Sequence, residues 1–335
     1  MEKKKEIVLS GIRPTGFMHL GNYFGAIRNW VAMQDEFDCY YCVVDWHSLT
    51  THPDTKELKA NVMRLLAELI SSGLDPKRCV LYVQSQVPEI AELYLYLNTL
   101  AYKGELEKTS TFKDKVRQDS GNVNAGLVTY PVLQSADILI HRAVKVPVGK
   151  DQEQHIEMTR NFAERFNHRY GKVFPLPYAF NYEGEELVKI MSLDGKGKMS
   201  KSENQSNTLY LSDGDELIRG KIMKARTDSG PKEPGSVKPD IIAGLFDLMK
   251  IVSRPETVDK FEADFNKCTI RYGDMKKQLA EDMVKFIAPL REKISAISND
   301  YTYLAGVMEQ GAVKARASAK ATLQLVKEAM GLNYL

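Results

Sequence analysis

Two short segments combine the residue types that hold a polyphosphate. The first runs Ser10-Gly11-Ile12-Arg13-Pro14-Thr15-Gly16 and continues as Phe17-Met18-His19-Leu20-Gly21-Asn22. It reads as a strand end, a Gly/Pro turn and the start of a helix reaching about Phe37. Backbone N–H groups without helical partners, together with the helix dipole, attract anions to such a place. Its glycines (Gly11, Gly16, Gly21, Gly25) do not follow the G-x-G-x-x-G spacing of dinucleotide sites. The second segment is Gly197-Lys198-Met199-Ser200-Lys201-Ser202-Glu203, which also lacks the P-loop spacing. Taken alone, the turn is structural and the loop is a solvated basic loop. Taken together, they suggest a mobile clamp in which lysines and hydroxyls close on a polyphosphate. A third group is Tyr130, Gln134 and Asp137, spaced i, i+4 and i+7, which share one face if the segment is helical. On spacing alone, Asp137 is as readily a local cap or salt-bridge partner as a ligand-binding carboxylate. No Ser-His-Asp arrangement or H-E-x-x-H motif suggests an enzyme nucleophile or a catalytic zinc.

These groups need elements to position them. Strand-like runs occur at residues 7–9, 40–44 and 79–83, with helical patterns between. Asp54 and Glu57 form an aspartate variant of the capping box. Leu58, Val62, Leu65, Leu66 and Leu69 then keep one helical face apolar, and Gly73 is a suitable stop. Alternating strand and helix predicts a parallel, doubly wound α/β sheet. Ligands of such sheets bind outside the carboxyl ends of the strands, so chemistry is expected after Leu9, Val44 and Val83. Beyond Leu211 no strand is predicted. Helical patterns cover residues 276–297, with a kink expected at Pro289, and 312–330, while the Pro/Gly-rich stretch 229–239 reads as an exposed loop. The expected organisation is a Rossmann-like catalytic domain over residues 1–195 and a helical domain over 196–335. The boundary falls near 190–205, and the last helix is a candidate to pack back on the catalytic domain.

The chain of 335 residues is long enough for two domains. A net charge of +2 excludes a wholly cationic nucleic-acid binder but leaves room for local basic patches. No apolar run approaches the roughly 18 residues of a membrane span. Residues 1–6 are charged and lead straight into Ile7-Val8-Leu9, so a cytoplasmic protein is expected. Cys39 and Cys42 form a C-x-x-C, but the segment reads as a strand, where residues three apart face opposite ways. With no second C-x-x-C to complete a zinc site, buried apolar thiols are expected.

The two phosphate segments resemble the paired signatures of the class I aminoacyl-tRNA synthetases. Lys-Met-Ser-Lys-Ser is matched letter for letter at residues 198–202, and His-x-Gly-His stands as His19-Leu20-Gly21-Asn22, with Asn in the last place. The resemblance narrows to the tryptophanyl branch of bacterial type. It is carried by Ser10 to Ala26, by Asp45-Trp46-His47-Ser48-Leu49-Thr50, and by Val146-Pro147-Val148-Gly149-Lys150-Asp151-Gln152-Glu153-Gln154-His155. Residues 104–113 and 227–230 match as well, so the motifs extend over about residues 7–230. The C-terminal helices match in kind rather than by motif.

The resemblance implies activation of L-tryptophan by ATP, with Mg2+, followed by transfer to the 3'-end of tRNA(Trp). Neither step needs an enzyme nucleophile, because phosphoryl-transfer catalysis is mostly positioning and charge stabilisation. By resemblance, His19, Asn22, Lys198 and Lys201 act on the phosphates, and Ser10, Gly11, Arg13, Gly21, Gly149, Asp151, Met199 and Ser200 complete the ATP site. Asp137 accepts the indole N–H. Tyr130 and Gln152 hold the ammonium group, and Gln134, Leu9 and His47 complete the amino-acid pocket. His141, His155 and His168 are expected to be structural or surface residues. A symmetric homodimer is implied, with residues 85–130 inserted for dimerisation, where Leu93, Leu97 and Leu100 serve either the interface or the core. The helical domain is expected to read the anticodon. The basic residues Lys103, Lys108, Lys113, Lys115 and Arg117 form either a solvated face or a contact near the acceptor end. Gln134-x-x-Asp137 also occurs in tyrosyl-tRNA synthetases, the nearest rival. A small-molecule adenylate-forming ligase of the same nucleotide fold is a second, and a non-catalytic RNA-binding paralogue a third.

Overall fold

The computed structural model describes residues 5–50, 54–149, 152–182, 189–200 and 205–334. Five strands form one sheet: β1 Ile7–Ile12, β2 Asp38–Val43, β3 Val80–Val83, β4 Lys145–Pro147 and β5 Tyr178–Phe180. Their order is β3-β2-β1-β4-β5, and every neighbouring pair is parallel. This is the doubly wound arrangement, with strand order reversing between β1 and β4. β4 and β5 were not predicted. Each has three residues, too few for a periodic pattern, and Pro147 in β4 argues locally against a strand.

The alternation of side chains across β2 separates two cores. Cys39, Tyr41 and Val43 join the cluster on one face, and Tyr40 and Cys42 the cluster on the other. The C-x-x-C cysteines are therefore divergent, free and buried, as expected. The first cluster takes in Val62, Leu65, Leu66 and Leu69 from the Leu58–Ser71 helix and Leu279, Met283 and Ile287 from the Tyr272–Ser298 helix. Phe24 stacks on Phe286 at 5.3 Å, so the C-terminal helices share this core with the sheet. Opposite, the Glu89–Asn98, Ala125–Ile140 and Glu153–Tyr170 helices bury Leu93, Val132 and Phe162. Leu93, Leu97 and Leu100 are all buried within the chain, so the core accounts for them.

Several boundaries differ from the sequence reading. The helix predicted to reach Phe37 ends at Met33 and includes a π-helical stretch, Tyr23–Ile27. Asp54 accepts from the Lys56 N–H of a short 3-10 turn that precedes the Leu58–Ser71 helix. The Tyr272–Ser298 helix runs through Pro289, and the last helix spans Tyr301–Met330, beginning well before residue 312. That helix lies along β3 so closely that a Cβ on Gly311 would stand 1.8 Å from the Leu81 carbonyl oxygen. It thereby covers the sheet edge, which would otherwise present unpaired backbone groups. Residues 229–239 carry no helix or strand, as expected. Among the described residues no helix is long and apolar enough to cross a membrane.

Candidate active site

A cavity of about 390 Å³ opens where the strand order reverses. The end of β1 supplies Leu9, Ser10, Gly11 and Arg13, and the end of β4 supplies Val148 and Gly149. His47 comes from the short helix after β2, Asp45–Leu49. The Ala125–Ile140 helix, capped by the Asn124 side chain accepting from the Leu127 N–H at 2.9 Å, turns Tyr130, Gln134 and Asp137 to the same space. Gln152 completes the wall. The predicted pocket residues thus converge on one cavity, along with the predicted nucleotide residues Ser10, Gly11, Arg13 and Gly149. Its volume suits a small-molecule site, where about 300–1,000 Å³ is usual.

Asp137 is only 2% exposed, so its charge requires donors. His47 Nε2 lies 2.9 Å from Oδ2, and Gln84 Nε2 donates to Oδ1 at 2.7 Å. An ionised carboxylate only accepts, so with Asp137 ionised this bond requires a proton on His47 Nε2. Gln84 is itself fixed, because its Oε1 accepts from the Trp46 N–H at 3.1 Å. Both carboxylate oxygens are oriented and still have lone pairs to offer a ligand N–H. Tyr130 Oη lies 3.2 Å from His155 Nε2, and the Lys115 ammonium sits 4.1 Å from the centre of the Tyr130 ring. Burial, assisted by the nearby Arg13 charge, lowers the Lys115 pKa. The cavity therefore joins an aimed carboxylate, apolar walls and two cationic side chains.

The His19–Asn22 end of the first phosphate-type segment and the Lys198–Ser200 part of the second form another group, off the cavity lining. His19 caps the Leu20–Asn22 turn: its Nδ1 accepts from the Asn22 N–H at 3.2 Å, and Asn22 Oδ1 accepts from the His19 N–H at 3.3 Å. In this structure these signature atoms shape the turn. Glu68 holds the same turn from below, both its carboxylate oxygens accepting from the Met18 N–H at 3.1 and 3.2 Å. Lys198 and Met199 belong to a hairpin in which Met199 N–H donates to the Ile190 carbonyl at 2.7 Å and Lys198 bridges Met191. Lys198 is exposed and Met199 buried. The two segments meet at Gly21, where a Cβ would stand 3.2 Å from the Met199 carbonyl oxygen. Ser200 lies beside them, its carbonyl accepting from Thr208 Oγ1 at 3.0 Å. Lys201 and Asp151 lie outside the described residues.

Four residues at the site were missed or read otherwise. Gln84 follows β3, at the start of a short 3-10 turn, Gln84–Gln86, where chemistry was expected, but nothing marked that side chain. Glu68 was hidden in an amphipathic helix. Lys115 read as part of a basic segment and lines the cavity instead, and so does His155, which read as structural or surface. His141 is buried and structural: it stacks on Tyr40, and its ring nitrogens pair with Tyr82 Oη and Ser318 Oγ.

Comparison with known proteins matches residues 1–288 to the family described as tRNA synthetases class I (W and Y). The chain is 53% identical to the tryptophan–tRNA ligase of Porphyromonas gingivalis, covering 97% of this chain and 99% of that protein. It is 40% identical to the tryptophan–tRNA ligase of Clostridium tetani, covering 99% of this chain and 97% of that protein. Among solved structures, the tryptophanyl-tRNA synthetase of Campylobacter jejuni complexed with ADP and tryptophan superposes with a TM-score of 0.86 at 33% identity, covering 97% of this chain and 100% of that one.

Proposed function

The chain belongs to the class I aminoacyl-tRNA synthetases, within them to the tryptophan–tRNA ligases, and from that membership we propose how its residues divide the work of an ATP-dependent ligase. L-Tryptophan occupies the cavity after β1 and β4, with its indole N–H donating to Asp137. Gln84 and His47 hold that carboxylate, Leu9 and Gln134 bound the ring, and Tyr130 and Gln152 face the ammonium group. The tryptophan carboxylate attacks the ATP α-phosphate, giving tryptophanyl-adenylate and pyrophosphate. The adenosine end lies along Ser10, Gly11 and Gly149. Arg13, His19, Asn22, Lys198 and Lys201 surround the phosphates, with Gly21, Asp151, Met199 and Ser200 beside them. Cations placed before the reaction stabilise the departing pyrophosphate without reorganising. A hydroxyl on the terminal ribose of tRNA(Trp) then takes the tryptophanyl group. Mg2+ is assigned to the ATP phosphates and water, the usual partners of this ion when it accompanies a nucleotide. Within residues 196–335, the helical part beyond the loop of residues 198–202 is assigned to tRNA recognition. A homodimer in the cytoplasm completes the proposal.

The observation that carries this reading is the buried Asp137 carboxylate, aimed into the cavity by two side chains. A site built to accept a ring N–H rejects an analogue without it by about 10⁴–10⁵. ATP–pyrophosphate exchange with each of the twenty amino acids tests the proposal. Tryptophan alone should support exchange. Exchange with tyrosine would mean that Gln134 and Asp137 read a phenol, and none at all would leave the fold without this activity.

A further inference from the structure

Lys221 lies on the Asp215–Met223 helix, outside the cavity and outside both signature segments. Its side chain is only 8% exposed, and its ammonium makes a 2.7 Å ion pair with Asp213, which is equally buried. The ammonium also donates to the Thr208 carbonyl at 2.8 Å and lies 4.9 Å from the centre of the Tyr210 ring. Asp213 Oδ2 in turn accepts from the Tyr210 N–H at 3.0 Å. A buried ion pair of this kind gives little net stability compared with well-packed apolar residues. Its contacts tie Thr208, Tyr210 and Asp213 to one ammonium.

The stretch 208–213 joins the two phosphate segments. Leu20 N–H donates to the Leu209 carbonyl and Leu211 N–H to the Met18 carbonyl, both at 3.0 Å, so Tyr210 is paired antiparallel with His19. At its start, Thr208 Oγ1 donates to the Ser200 carbonyl at 3.0 Å. One ammonium thus pins the strip that sets the His19 turn and the base of the Ser200 loop in a single register. A displacement of about 1 Å in such a frame can lower a rate about 100-fold.

We infer that Lys221 is a positioning residue for adenylate formation, acting through Thr208 and Tyr210 on the two phosphate segments. This rests on the activity proposed above. The test uses the full chain and tryptophan-dependent ATP–pyrophosphate exchange. Lys221→Met should lower kcat about tenfold or more and leave equilibrium tryptophan binding, followed by intrinsic fluorescence, unchanged. Because this change strands a buried carboxylate, Lys221→Met with Asp213→Asn is the second variant. It should regain most of the thermal stability but not the exchange rate. Thr208→Val removes the hydroxyl that bonds the Ser200 carbonyl and also interacts with the Tyr210 side chain, keeps the Thr208 carbonyl that Lys221 holds, and should slow exchange in the same selective way. If the double variant regains rate together with stability, or if Thr208→Val exchanges at the wild-type rate, Lys221 is a structural residue and the inference fails. Absence of exchange in the wild-type chain would instead refute the activity on which it rests.

Discussion

Replacing Gln84 with Met isolates the orientation of Asp137 from its presence. Gln84 is fully buried and spans two partners, Asp137 Oδ1 at 2.7 Å and the Trp46 N–H at 3.1 Å. Methionine fills a similar space. The Trp46 N–H keeps a bond to Asp45 Oδ1 at 3.1 Å, so the change orphans no backbone donor. Besides the Trp46 bond to Gln84, what is lost is a charge-assisted hydrogen bond to a buried carboxylate, a contribution of roughly 1.5–3 kcal/mol. If that bond aims the carboxylate at the indole N–H, kcat/KM for tryptophan should fall roughly 10- to 150-fold. The KM for ATP should not change, because Gln84 touches neither phosphate segment. The sharper assay compares tryptophan with an analogue carrying sulfur in place of the indole N–H. The analogue donates nothing to Asp137, so its rate should hardly move and the discrimination ratio should shrink with the tryptophan rate. A folded Gln84→Met protein with wild-type tryptophan kinetics and undiminished discrimination would refute this account of how Asp137 is aimed.

Asp137→Ala should abolish most tryptophan-dependent exchange while leaving ATP affinity nearly intact, and equal losses for both substrates would displace Asp137 from the pocket. Gly311→Ala sets two effects against each other. Helix propensity favours alanine by about 1 kcal/mol, but the added Cβ would stand 1.8 Å from the Leu81 carbonyl oxygen. Overpacking of this kind costs about 1–3 kcal/mol or more, so urea unfolding should show a net loss of stability, and a gain would mean the last helix does not lie along β3. Burial lowers the His141 pKa from 6.5 to about 3. The unfolded chain therefore binds the extra proton first, so this contribution to stability is full above pH 6.5 and is lost as pH falls towards 3. The slope is about 1.4 kcal/mol per pH unit in that window. Between pH 7.5 and pH 5.5 the wild type should lose about 1.4 kcal/mol more than His141→Gln, and equal losses would show that His141 titrates normally.

Some of this molecule is determined locally, and the sequence is enough to read it. A strand points successive side chains to opposite faces, so Cys39 and Cys42 had to diverge. A helix repeats every 3.6 residues, so Tyr130, Gln134 and Asp137 had to share a face. The turn from Ser10 to Asn22 and the loop around Ser200 carry glycines, hydroxyls and basic side chains within a few residues of one another, and only the two together suggested a polyphosphate clamp. Other features exist only through contacts between distant parts of the chain. Gln84 reaches Asp137 across 53 residues, and the Met18 N–H reaches Glu68 across 50. Nothing within one turn or strand of Gln84 or Glu68 marks it. β4 and β5 have too few residues to show a period and form because β1 is there to pair with β4. Lys115 read as one charge in a basic run until the fold set it over the Tyr130 ring. The residue types and their local spacing determined which chemistry was possible. Only the tertiary structure decided which carboxylates and amides hold those residues in place, because a hydrogen bond depends on distance in space, and separation along the chain does not determine that distance.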